Sequence, residues 1–67
     1  MGEKIVATDT KEAESLLRQN SSPEALDELA QNVDAETLQL LVNVAIALSW
    51  DDKNSAFSTF AITHKKQ

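Results

Sequence analysis

The fold is decided by the stretch SSPEALDELAQNVDAETLQLLVNVAIALSW, residues 21–50, which has the pattern of two helices joined by a short turn. Ser22 followed by Pro23 predicts a helix start, because the hydroxyl can cap free N–H groups and the proline ring fixes φ where no N–H partner is needed. Apolar residues then recur at helical spacing: Leu26, Leu29, Ala30 and Val33. The pattern predicts a helix over about 22–32 with one apolar face.

A second helix start follows at Asp34, whose carboxylate can cap the next N–H groups. Val33 and Leu38 stand at the two positions that form a hydrophobic staple around such a cap. The helix that follows is apolar nearly all round, with a narrow polar line through Glu36, Gln39 and Asn43. Because a helix of this kind has to be packed on several sides, we expect residues 35–48 to form the buried centre of the fold.

The sequence before residues 21–50 has the patterns of a leader and of a first helix. Thr8, Asp9 and Thr10 can each cap a helix, and Asp9 and Glu12 have capping-box spacing. An apolar face follows, so a helix is expected over about 9–20. Residues 3–7 are open to two interpretations, a short strand or a flexible leader. We favour a leader over residues 1–8, with Ile5 and Val6 tucked onto the helices.

The segment after it predicts a fourth helix over about 53–65. Asp51 or Asp52 can cap it, and Phe57 and Phe60 recur at helical spacing. Residues 57–63 are also rich in aromatic and β-branched residues, so a strand paired with residues 3–7 is the alternative. We favour the helix. The predicted fold class is all-α, a small bundle or helical-hairpin array of three to four short helices in one domain of 67 residues.

Residues 20–42 carry a cap-rich pattern: Asn20-Ser21-Ser22-Pro23, then Leu26, Leu29-Ala30 and Asp34. This pattern resembles one unit of the variant leucine-rich repeat, a relative of HEAT-type repeats of stacked helix pairs. The arginine that the family usually has at the opening of its second helix falls here on Leu38 or Gln39, and residues 1–19 and 51–67 hold no second copy. The resemblance implies helical-hairpin geometry and a binding role without catalytic residues.

The charge distribution limits the classes of partner that the chain is expected to bind. The net charge is −5, and no Lys or Arg lies between Gln19 and Asp52, so phosphate backbones should be repelled and no nucleic-acid partner is expected. The central helix is short and carries interior amides, which argues against a membrane span. The chain opens without the basic and apolar regions of a secretory signal, so a cytoplasmic location is expected.

Few residues suggest catalysis or metal binding. The chain has no cysteine, and its one histidine, His64, lies near the end of the last predicted helix, where a solvated imidazole interacts with the helix dipole. Glu24, Asp27 and Glu28 could bind a metal or act as acid and base. The stronger interpretation is a solvated acidic surface at a helix N-terminus, which could dock a basic partner. We expect no catalytic residue, cofactor or metal.

The end of the central helix is the most informative candidate site. The polar line leads through Ile46 or Ala47 to Trp50, so it becomes apolar there. Either Phe57 and Phe60 of the last helix cover this end, which we favour, or it is an exposed surface for a partner or for a dimer. A monomer and a symmetric dimer both stay open, with the monomer slightly preferred.

The function expected from these observations is a non-catalytic protein–protein interaction module that binds another protein or itself. The alternative is a small acidic inhibitor, such as an immunity protein, an antitoxin or a DNA mimic, whose carboxylates block a basic site. The candidate partner-binding residues are Ile46, Trp50, Phe57, Phe60, Glu24, Asp27 and Glu28.

Overall fold

A computed structural model describes residues 4–52 and 55–65, and across these residues the chain forms four helices. They are α1 (Thr10–Gln19), α2 (Pro23–Gln31), α3 (Ala35–Asp52) and α4 (Ser55–His64). The prediction of a small all-α bundle is confirmed. The alternative of a strand over residues 57–63 is wrong, because those residues lie within α4.

Three helices begin at the caps that the sequence predicts. In each case a side-chain oxygen at the cap accepts a backbone N–H from the first turn, which satisfies one of the free donors at the helix start. The three bonds run from Glu12 N–H to Asp9 Oδ1 at 2.9 Å, from Ala25 N–H to Ser22 Oγ at 3.2 Å, and from Thr37 N–H to Asp34 Oδ1 at 2.9 Å. These local bonds determine where the helices start.

The end of the central helix differs from the prediction. We expected it to stop at residue 48 and Asp51 or Asp52 to cap the fourth helix, but α3 continues to Asp52 and α4 begins at Ser55. No glycine or proline follows Leu48 to stop the helix. The Ser49 hydroxyl also donates to the Ile46 carbonyl at 2.9 Å within the helix. The extra turn carries Trp50 on the central helix.

The packing places α3 at the centre of the bundle. Among the described residues, α3 packs mainly on α4 and α1, and α2 packs mainly on α4. The largest fully buried side chains come from all four helices: Leu17, Leu26, Thr37, Leu41, Val42 and Phe57. The buried centre predicted for α3 is therefore confirmed, and its polar line of Glu36, Gln39 and Asn43 is exposed as expected.

The segment before α1 is held against the turn between α2 and α3. The Ile5 N–H donates to the Asn32 carbonyl at 2.8 Å, and Ile5 forms a single parallel bridge with Val33. We expected Ile5 and Val6 to tuck in, but they are 38% and 59% exposed, and the buried residue is Ala7. Successive side chains of an extended segment point to opposite sides, so burial of Ala7 turns Val6 outwards.

Thr37 joins this segment to the start of α3. Its buried hydroxyl accepts the Ala7 N–H at 3.3 Å and also bonds the Asp34 carboxylate. The pKa of Asp34 is lowered, first by the bond from the Thr37 side chain and then by the bond from the Thr37 backbone N–H. One buried side chain thus supports both the cap of the central helix and the docking of the preceding segment.

We expect Thr37→Val to destabilise the protein by about 1–3 kcal/mol, because the buried Ala7 N–H loses its acceptor. Chemical denaturation measures this change, and hydrogen exchange at the Ala7 amide, followed by NMR, should become faster. Thr37→Ser keeps the hydroxyl and serves as the control, with exchange at Ala7 close to that of the wild type. Unchanged exchange at Ala7 in Thr37→Val would contradict this account of the Thr37 bond.

The lowered pKa of Asp34 predicts a dependence of stability on pH. The ionised cap stabilises the fold fully above the unfolded-state pKa of about 3.9, and this contribution is lost as pH falls through the lower folded-state value. The difference in unfolding free energy between wild type and Asp34→Asn should be constant from about pH 7 to about pH 5 and should shrink below about pH 4. Urea denaturation over this range measures it. If this difference in unfolding free energy stays constant down to the lowest pH, the stabilising role of the ionised Asp34 cap is refuted.

Candidate functional site

The polar line of α3 ends, towards the C-terminus of the helix, in an exposed aromatic side chain. Trp50 is 80% exposed, Ala47 is exposed, and Ile46 is partly buried against the core. These residues continue the line of Gln39 and Asn43 towards the C-terminal end of the helix. The change from polar to apolar residues that the sequence predicted along this line is therefore present on the folded surface.

Helix α4 adds a second exposed apolar side chain to this surface. Ile62 is 74% exposed, and it lines the same groove as Trp50, a shallow space of about 200 Å³ between α3 and α4. We call this groove the α3/α4 face. Its residues are Ile46, Ser49, Trp50, Ser58, Ala61, Ile62 and Lys65.

The two phenylalanines of α4 lie in the core. Phe57 is 2% exposed and Phe60 is 4% exposed, so neither offers a surface to a partner. The expectation that they cover Trp50 is wrong. Phe60 lines a cleft on the α2 side of α4, whereas Ala61 and Ile62 line the groove beside α3. The aromatic rings are used to pack α4 inwards, and Trp50 is left outside.

Ile62 is a surface residue that the sequence reasoning did not select. A signal for it exists, because Ile62 lies outside the helical stripe of Phe57, Phe60, Ala61 and His64. A large apolar residue off the buried stripe of a helix is exposed unless another element covers it. Whether α3 covers it depends on the angle at which the two helices pack, which the stripe does not specify.

The acidic candidates lie on a different surface. Glu24, Asp27 and Glu28 are exposed on α2, and the Asp27 carboxylate accepts a bond from the Gln31 side-chain amide at 3.3 Å. In the described part of the chain, no three His, Cys, Asp or Glu side chains are arranged to hold a metal ion. These carboxylates can act as a solvated negative surface for a basic partner.

Another cleft, of about the same size as the groove between α3 and α4, lies between the start of α2 and α4. It has a volume of about 190 Å³, and Asp27 and His64 are among its lining residues. We expected His64 to be solvated, but it is half-buried, and its ring lies 4.9 Å from that of Phe60, one turn earlier on α4. The cleft is smaller than the ~300–1,000 Å³ typical of small-molecule pockets, so it is a weak candidate for ligand binding.

Comparison of the chain with known protein families, with characterised proteins and with solved structures finds no match. The resemblance of residues 20–42 to a variant leucine-rich repeat stays a prediction. Within residues 4–52 and 55–65, no helix combines the length and the apolar character needed to cross a bilayer.

The division of the aromatic candidates between core and surface predicts opposite effects of substitution. Phe57→Ala should cost about 3–5 kcal/mol of folding stability, because it leaves a cavity in the core. Trp50→Ala should change stability by no more than about 0.5 kcal/mol, because the ring is in solvent. Denaturation at the lowest practical protein concentration measures both. A large loss of stability in Trp50→Ala at that concentration would mean that the ring is packed in the monomer.

Proposed function

We propose that this protein is a non-catalytic protein–protein interaction module that binds through the α3/α4 face. The observation that carries the proposal is the exposure of Trp50 and Ile62 on two helices that line one groove. Single exposed apolar residues are common and need no explanation, but an exposed Trp and an exposed Ile that line one groove are typical of an interface. Tryptophan is also the residue type most enriched among those that dominate binding energy.

The polarity of the α3/α4 face also supports binding to a protein. Its lining combines two isoleucines, an alanine and a tryptophan with two serines, and Lys65 is the charged residue among them. The central parts of protein interfaces are similarly poor in charged groups, because desolvating a charge is costly unless it is paired. A partner can therefore cover this groove without stripping water from a cluster of ions.

A second candidate function is a small acidic inhibitor that occupies a basic site on a target protein. The exposed carboxylates of Glu24, Asp27 and Glu28 on α2 favour it, because no Lys or Arg lies anywhere between Gln19 and Asp52 to neutralise them. Such a surface attracts basic proteins through long-range electrostatics. The absence of catalytic activity, the absence of a nucleic-acid partner and the cytoplasmic location stay predictions.

Two variants separate these functions in a binding experiment. Trp50→Ala combined with Ile62→Ala removes the apolar side chains of the α3/α4 face, and Glu24→Gln, Asp27→Asn and Glu28→Gln neutralise the acids on α2. Immobilised wild-type and variant chains are used to capture proteins from the source cells at low and high ionic strength. Soluble copies of the same chain are added, so that a second copy can also be captured as a partner. If the protein is an interaction module, its partner should no longer bind the variant with Trp50→Ala and Ile62→Ala. The partner should still bind the variant with the neutralised acids, and it should stay bound at high salt.

The opposite pattern supports the inhibitor. A partner that is released steeply by salt and lost on neutralising the acids, but kept by Trp50→Ala with Ile62→Ala, would refute the interaction module. Helix content measured by circular dichroism shows that each variant is folded. All five substituted residues are exposed, so we expect wild-type spectra.

A further inference from the structure

We infer that the occupant of the α3/α4 face is a second copy of this chain, placed antiparallel about a two-fold axis so that each Trp50 lies against the partner's Lys65. This inference rests on the proposed function, since it names the partner of the same face. It follows from the order of residues along the groove and from the charges around it.

The groove has an aromatic end and a cationic end. Only residues 53 and 54 separate α3 from α4, and the two helices pack on each other, so α4 returns along α3. Trp50 lies two residues before the end of α3, near this connection. Lys65 follows the last residue of α4, about 10 Å beyond Ser58 at the helical rise per residue. Ile46 and Ile62 lie between the two ends.

A two-fold axis through the middle of the groove brings unlike ends together. In such an interface, if one residue contacts another across the axis, the reverse contact is made as well. Trp50 of each copy then meets the partner's Lys65, and an ammonium group over an indole ring is a favourable cation–π pair, because tryptophan is the aromatic ring best suited to this contact. The isoleucines of the two copies meet near the axis, and the small side chains of Ser49 and Ser58 permit close approach.

The charges around the groove favour a second copy of this chain, and not a basic protein, as its occupant. Two chains with a net charge of −5 each repel one another unless they meet through a surface without carboxylates. Ser49 and Asp51 stand on opposite sides of Trp50, about 100° away in each direction, and Ser49 lines the groove, so Asp51 points away from it. The next carboxylate on the same line of α3 is Glu36, about 20 Å along the helix. A basic partner would instead be drawn to α2.

The first measurement is the mass of the full chain in solution. Sedimentation equilibrium over a hundredfold concentration range should show a shift from 7.3 kDa towards twice that mass. Trp50 is the only tryptophan in the chain, so its fluorescence reports on the groove alone. We expect its emission maximum to move to shorter wavelength as the dimer forms, because the exposed ring leaves water.

An exchange of charges tests the antiparallel arrangement. Trp50→Lys places two cations against each other in a homodimer, and Lys65→Glu removes the cation opposite the ring, so each variant alone should raise the dimer Kd about tenfold or more. In an equimolar mixture, the new lysine of one variant meets the new glutamate of the other. The heterodimer should therefore regain a Kd within a few-fold of the wild type.

The controls carry the same changes in charge away from the groove. Gln31→Lys and Lys11→Glu alter exposed residues of α2 and α1, and they should leave the dimer Kd within about twofold of wild type. Circular dichroism checks that every variant keeps its helices. If the controls lose as much association as Trp50→Lys and Lys65→Glu, net charge alone determines the affinity of the dimer. That result would overturn the antiparallel arrangement.

Two other results would overturn the inference. A single species at 7.3 kDa at every concentration excludes the second copy, and the capture experiment then decides by itself whether the α3/α4 face binds another protein. A dimer that Trp50→Lys and Lys65→Glu leave unchanged would mean that the copies pair through another surface. Failure of the proposed function is a different result, in which neither a dimer nor a captured partner depends on Trp50 and Ile62.

Discussion

The structure depends on the burial of a central helix that is apolar nearly all round. A chain of this length has few elements with which to cover it, since small domains have a large surface for their volume. Helices α1 and α4 cover two sides of α3, and the third side, with its polar line, stays in water. The positions of α1 and α4 follow from this need, whereas α2 packs mainly on α4.

The same helix supplies both the core and the candidate site. Leu41 and Val42 are buried in its middle, whereas Trp50 stands exposed on its last turn. Because α3 runs past residue 48 without a break, the indole is held on a rigid element close to the return of α4, and Ile62 comes to lie beside it. Binding residues on a rigid helix need little ordering on association, which favours affinity.

Charge is separated from this apolar surface. The exposed acids of α2 lie on one side of α4, and the α3/α4 face lies on the other, with Lys65 at one end of the groove. At the opposite pole of the bundle, Thr37 joins Asp34 and Ala7, so the segment before α1 is held far from Trp50 along α3. The molecule thus presents two chemically distinct surfaces on one small scaffold, and a salt-dependent and a salt-resistant contact can be told apart experimentally.

The sequence by itself determined the features that depend on neighbouring residues. The starts at Ser22 and Asp34 rest on hydrogen bonds to N–H groups three residues away, and the apolar content of residues 35–48 requires burial whatever the neighbours are. Only the tertiary structure decided that Trp50 is exposed, that Phe60 turns towards α2, and that Ile62 joins the groove. A helix that is apolar all round does not specify which side its neighbours cover. That choice is made by how α1 and α4 pack against it, through contacts between residues far apart in the chain.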